Sequence, residues 1–127
     1  MWTESMKRPR VSRHIATWTM ALSLGLAFVG QARAVECPAP QKLSRPGVLR
    51  ETQQQIATTG ALLAKGDQTL AVLGELRKRY PGAESAEIVN YMIGAYCPIV
   101  AGRSDLSDAD KQSLIARFVT NLMQAVY

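Results

Sequence analysis

The feature that most constrains the fold is the stretch 86–100, with the sequence AEIVNYMIGAYCPIV. Its apolar residues recur at i, i+3, i+4 and i+7, the spacing that gathers side chains onto one face of an α-helix: Ile88 and Val89, Met92 and Ile93, then Tyr96. Pro98 disfavours helical geometry at Cys97 and removes the next backbone donor. The pattern therefore predicts a buried central helix that delivers Cys97 to its own C-terminal edge.

The first 34 residues have the three-part pattern of a secretory signal peptide. A basic region precedes an uncharged, mostly apolar run over 15–30, and Gln-Ala-Arg-Ala at 31–34 forms an A-x-A site. The alternative is a membrane anchor, but this run falls short of the roughly 20 residues that a spanning helix needs. We predict cleavage between Ala34 and Val35, which leaves one domain over 35–127 and no stable membrane anchor.

Most of the net charge of +5 belongs to the predicted signal, which accounts for +4 of it. Residues 1–34 hold five of the fifteen Lys and Arg and one of the ten Asp and Glu, so residues 35–127 have a net side-chain charge of only +1. A nearly neutral domain gives no electrostatic reason to expect nucleic acid or an anionic membrane as partner.

Residues 35–127 predict an all-α fold, a small bundle of about four helices. The segment 35–43 is a proline-rich, extended lead-in. Ser44 is expected to cap a first helix that reaches Lys65, followed by helices over 68–80, over the central stretch, and from a cap at Ser107 to the C-terminus. No segment alternates with the period of two that is typical of a strand.

Small residues in the first helix, Gly60 among them, form a strip that lets a neighbouring helix approach closely. Gly66 is expected to cap the C-terminus of this helix. Asp67 and Ser85 are expected to cap the N-termini of the second and third helices.

Cys37 and Cys97 are the two cysteines, and an even number in a small exported domain indicates a disulfide. Each precedes a proline, so we expect both in extended backbone just outside a helix. Closing a loop of about 60 residues should stabilise the fold by roughly 4 kcal/mol. A redox-active pair or free thiols are the alternatives, although the sequence has no C-x-x-C motif.

The single histidine, His14, leaves with the predicted signal. Without histidine, Ser-His-Asp and Cys-His catalysis, HExxH zinc sites and histidine-ligated haem are excluded from the mature domain. We therefore predict no enzyme, no metal and no cofactor. The acids Glu84 and Glu87, and those at 105, 108 and 110, are assigned to helix N-termini, and the basic run 77–79 to a helix C-terminus.

Two groups on the central helix leave alternatives open. Tyr91 and Tyr96 either line a ligand pocket or are half-buried with their hydroxyls at the surface. Asn90 and Gly94 mark either close packing or a polar groove.

The layout of Cys37, Ile88–Val89 and Cys97 in a short exported helical chain resembles the small acid-stress periplasmic chaperones. It departs from them in its longer loop and in the proline-rich lead-in after the first cysteine. The chain is also similar to many short exported bacterial proteins without an assigned activity. We expect a non-catalytic periplasmic or secreted protein of the cell envelope that binds a protein partner or an apolar ligand. The alternatives are a chaperone-like protein or a thiol-disulfide enzyme.

Overall fold

The computed structural model describes residues 35–127. Four helices follow an extended lead-in: α1 Gln53–Leu63, α2 Thr69–Arg79, α3 Ser85–Ala101 and α4 Asp108–Val126. No strand occurs between residues 35 and 127. The predicted all-α bundle of four helices is confirmed, whereas the predicted signal peptide 1–34, with Ala34 at its cleavage site, lies outside the described residues.

Helix α3 is the centre of the fold, and α1 and α4 both pack against it. One face of α3 is buried along its whole length, through Glu87, Ile88, Val89, Met92, Ala95, Tyr96, Cys97 and Val100. Helix α2 adds Leu73 and Leu76 to the same core, and α4 adds Ile115, Phe118 and Leu122. The core is therefore one continuous apolar cluster around the helix that the sequence pattern predicts most clearly.

The prediction that α3 ends at Cys97 is wrong. The helix runs through Pro98 to Ala101, and Cys97 is fully buried within it. Pro98 deprives the carbonyl of Gly94 of its helical partner, but Gly94 is exposed, so water can hydrogen-bond this carbonyl. The next turn buries Val100 in the core, and this packing outweighs the local preference against helix before proline.

The prediction that Ser44 caps the first helix is also wrong. Helix α1 begins nine residues later, after Thr52, whose hydroxyl accepts from the Gln55 amide while the Gln55 side chain accepts from the Thr52 amide. This reciprocal pair is a capping box, which satisfies two backbone donors at once. The extended lead-in consequently spans residues 35–52 instead of ending at residue 43.

The other predicted caps have mixed outcomes. The Ser107 hydroxyl accepts from the Asp110 amide and caps α4 as predicted. The residues at the N-caps of α2 and α3 are Gln68 and Glu84, neither with a side-chain capping bond, so the assignments to Asp67 and Ser85 are wrong. The C-cap of α1 is Ala64, and Gly66 lies two residues beyond it with a φ of 90°, a backbone conformation that favours glycine.

Gly60 allows the closest approach between two helices. A Cβ atom at this position would collide with the backbone carbonyl oxygen of Ala95 and would lie 2.8 Å from Cγ1 of Ile99. The predicted role of the small residues of α1 is confirmed at this glycine.

Candidate functional site

The extended lead-in is fixed to α3 at several points. Cys37 and Cys97 form the predicted disulfide, with their Cα atoms 5.8 Å apart. The Asn90 side chain pairs with the backbone of Gln41 in both directions, accepting from its amide at 2.7 Å and donating to its carbonyl at 2.8 Å. Asn90 therefore fixes the lead-in to α3 through a reciprocal pair of hydrogen bonds, such as a neighbouring β-strand would make. This contact is the role of Asn90 that the sequence left open.

Glu84 and Glu87 lie at the N-terminus of α3 as predicted, Glu84 at the N-cap position and Glu87 in the first turn, and their side chains continue this attachment. The Glu84 carboxylate accepts from the amide and the hydroxyl of Ser44, and the Ser44 hydroxyl is the main cause that lowers the pKa of Glu84. The Glu87 side chain accepts from the amides of Val48 and Leu49 at 2.5 and 2.6 Å. These carboxylates thus satisfy backbone donors of the lead-in.

The other charged residues singled out in the sequence separate into local pairs. Asp105 accepts two hydrogen bonds from Arg103, at 3.0 and 2.6 Å, and does not lie in the first turn of α4, as Asp108 and Asp110 do. Arg79 donates to the buried carboxylate of Glu51 at 2.5 Å. The basic run 77–79 lies in the last turn of α2, as the sequence predicted.

A cavity of about 230 Å³ lies where the end of α1, the start of α2, α3 and α4 meet. Its apolar lining comes from α3, α4 and the end of α1: Leu63, Ala64, Tyr96, Val100, Leu114 and Phe118. The rings of Tyr96 and Phe118 are stacked, with centroids 3.9 Å apart and an interplanar angle of 19°. We define this space as the aromatic cavity.

The residues with polar groups that line the aromatic cavity are Thr69, Tyr96, Arg103, Arg117 and Asn121. Burial raises the pKa of Tyr96, and the positive charges of Arg103 and Arg117 partly oppose this increase. Two guanidinium groups therefore lie close enough to Tyr96 to act on its hydroxyl, and no acidic residue lines the cavity.

The two tyrosines of α3 have different roles. Tyr96 is 6% exposed and lines the aromatic cavity, as the pocket interpretation predicted. Tyr91 is half-buried, and its hydroxyl donates to Thr59 at 3.2 Å on another side of the helix. For Tyr91 the second alternative, a half-buried residue outside a ligand pocket, is therefore favoured.

A second concave region lies between α1 and α2. A cavity of about 250 Å³ is lined by Leu62, Ala71, Val72 and Leu76, and Arg79 lies at its polar end. It is more open than the aromatic cavity, and Arg79 is engaged with Glu51. The aromatic cavity is therefore the better candidate site, since two exposed arginines and the stacked aromatic residues line the same space.

The aromatic cavity combines apolar surface with a few polar groups. Its lining contains no serine, cysteine, histidine or carboxylate, and its hydroxyl groups belong to Thr69 and Tyr96. Among residues 35–127, no three His, Cys, Asp or Glu side chains lie together in a way that would hold a metal ion. An apolar enclosure with a few converging polar groups is the usual form of a small-molecule site.

Sequence reasoning found Tyr96 but missed Arg103 and Arg117. Arg117 lies between Leu114 and Phe118 in the most regular amphipathic pattern of the chain, and a cation beside the apolar face of a helix was the available signal. Arg103 follows the end of α3 directly and gives no such signal. Only the meeting of α3 and α4 brings the two guanidinium groups to one cavity.

Comparison of the chain with protein-family models, with curated proteins and with solved structures found no match. Within residues 35–127, no helix combines the length and the apolar character that crossing a membrane requires.

Proposed function

We propose that this chain is a non-catalytic, exported helical binding protein of the cell envelope, and that the aromatic cavity is its ligand site. The observation that carries this proposal is the cavity itself, which is lined by the stacked rings of Tyr96 and Phe118 and by several polar side chains. Export rests on the signal-peptide pattern of residues 1–34 and is compatible with the Cys37–Cys97 disulfide.

The thiol-disulfide alternative depends on access to the two cysteines, which differ in burial. Thiol-disulfide exchange requires a thiolate to reach a sulfur atom; Cys97 is fully buried in the core, whereas Cys37 is exposed in the lead-in. Alkylation of the purified, non-denatured protein tests the two interpretations. A structural disulfide predicts no modified cysteine, whereas two modified cysteines would favour the redox function.

A matched pair of tryptophan variants tests ligand binding at the aromatic cavity. Asn121 is exposed and lines the cavity, so Asn121→Trp places a large ring over its opening. Gln112 is exposed on the same helix and lines none of the cavities described above, so Gln112→Trp is the control.

A thermal-shift screen with a panel of small apolar molecules provides the readout. We expect some members to raise the melting temperature of the wild type and of Gln112→Trp but not that of Asn121→Trp. If no member stabilises any of the three proteins, or if all three respond alike, the aromatic cavity is not the ligand site.

Crosslinking in cells addresses a protein partner or a chaperone-like function with the same variants. A polypeptide recovered equally with wild type and Asn121→Trp would indicate a binding surface outside the aromatic cavity, and would contradict the present proposal in favour of protein binding.

A further inference from the structure

We propose that the ligand of the aromatic cavity is a small carboxylic acid with a compact apolar body, such as an aryl-substituted acid. Arg117 and the Tyr96 hydroxyl would hold the carboxylate, and the aromatic and aliphatic lining would enclose the apolar body. This inference rests on the proposed function and adds the chemical class of the ligand.

The charge of the cavity favours an anion. Arg103 and Arg117 both line it and no acidic side chain does. Arg103 is compensated by its paired carboxylate, Asp105. Arg117 forms no ion pair with any residue of the described range, so its guanidinium is the cation available to a ligand. A guanidinium binds a carboxylate through charge-assisted hydrogen bonds with a geometry that matches the two oxygens.

The Tyr96 hydroxyl is a second group without a partner. Only 6% of Tyr96 is exposed, yet its hydroxyl makes no hydrogen bond to any residue between 35 and 127. The only side-chain oxygen or nitrogen in this range that is both fully buried and unpartnered belongs to Glu51. The Tyr96 oxygen therefore remains accessible, and it can donate to a carboxylate in the cavity it lines.

The first turn of α2 is a third positive element at the cavity rim. Thr69 is the first residue of this helix and lines the cavity. The first turn holds no acidic residue and its N-cap makes no side-chain capping bond, so its amides present the positive end of the helix dipole. Asp67, one residue before the N-cap, accepts from the Gln68 side chain and offsets part of this charge. The remainder adds to the effect of Arg117 in favouring a negative charge.

The size and the lining of the cavity define the rest of the ligand. A cavity of about 150 Å³ with an apolar lining accommodates benzene, so about 230 Å³ has room for a ring and a short acid chain. An inorganic anion would leave the surfaces of Leu63, Val100 and Phe118 without contacts, and these residues favour a ligand with an apolar body.

Isothermal titration of the purified, disulfide-bonded protein tests the inference with three probes. They are 3-phenylpropanoate, its neutral analogue 3-phenylpropanamide, and acetate, which has the charge without the ring. We expect the propanoate to bind at least about tenfold more tightly than the amide, because the amide lacks the negative charge that pairs with Arg117. Acetate should bind more weakly still, because it lacks the ring.

Variants assign the effect to residues. Arg117→Gln should reduce propanoate affinity about tenfold and amide affinity much less, whereas Arg117→Lys should retain most of the propanoate affinity. Tyr96→Phe should reduce propanoate affinity roughly fivefold. Arg45→Gln, an exposed arginine that does not line the cavity, is the control and should have no effect.

The outcomes separate the two proposals. If the amide and the propanoate bind equally well, the cavity is an apolar ligand site without anion recognition, so the inference fails and the proposed function stands. If Arg117→Gln and Arg45→Gln have the same effect, the anion is bound elsewhere and the inference also fails. If neither ring-bearing probe binds, the inference is wrong, and the thermal-shift screen separately decides the proposed function.

Discussion

The contact between α1 and α3 predicts that the same substitution has opposite effects at two helical glycines. Gly60 is buried in α1 against α3, whereas Gly74 is exposed on α2 with no atom near the position of a Cβ. Alanine is a better helix former than glycine by about 1 kcal/mol. Gly74→Ala should therefore stabilise the protein by about 0.5–1 kcal/mol.

At Gly60 the added methyl group has no space. Its carbon would collide with the carbonyl oxygen of Ala95 and would lie 3.0 Å from the carbonyl carbon. These atoms belong to the backbone of α3, so no side-chain rotation relieves the collision and α1 must move away from α3. Overpacking of this kind costs about 1–3 kcal/mol, and loss of the close contact with Ile99 offsets the gain in helix propensity. We expect Gly60→Ala to destabilise the protein by about 1–3 kcal/mol.

Urea unfolding followed by far-ultraviolet circular dichroism measures both variants. The expected difference between them is about 1.5–4 kcal/mol, with opposite signs relative to the wild type. If Gly60→Ala stabilised the protein as much as Gly74→Ala does, α1 would not approach α3 as closely as described, and the packing argument would be refuted.

Four further predictions concern the disulfide, the core, the lead-in and processing. Serine at Cys37 or at Cys97 should lower stability by roughly 2–5 kcal/mol, and the double change should cost no more than either single change because all three remove the same bond; an unchanged unfolding midpoint after reduction would contradict this. Phe118→Ala should cost about 3–5 kcal/mol in urea unfolding through the cavity that it leaves; a cost below 1 kcal/mol would place this ring outside the core. Because the pKa of Glu84 is lowered in the folded state, the ionised carboxylate contributes to the free energy of unfolding above the pKa of the unfolded state. This contribution is lost as the pH falls through the folded-state pKa. Glu84→Gln should accordingly make the free energy of unfolding less dependent on pH in the acidic range. A pH dependence as steep as that of the wild type would contradict this role. Intact-mass analysis of the exported protein should give a chain that starts at Val35, and a mass that includes the preceding residues would support the membrane-anchor alternative.

The sequence alone determined the helical class and the central element. The apolar periodicity of α3 and α4 indicates one buried face on each helix, and this property depends only on residues close together in the chain. The Ser107 cap and the capping box of Thr52 and Gln55 are equally local, although the second was overlooked in favour of Ser44. The disulfide was predictable because only two cysteines are present.

Tertiary structure decided the features that depend on partners distant in sequence. Ser44 does not cap a helix because its hydroxyl donates to Glu84, forty residues away. Helix α3 continues through Pro98 because burial of Val100 outweighs the local preference against helix before proline. The aromatic cavity has the same origin. Tyr96, Arg103 and Arg117 carry no shared motif, and they converge only because α3 and α4 pack side by side. Local preferences amount to less than about 1 kcal/mol for most residues, whereas burying one large apolar side chain contributes about 1.5–3 kcal/mol. Where the two conflict in this chain, packing prevails.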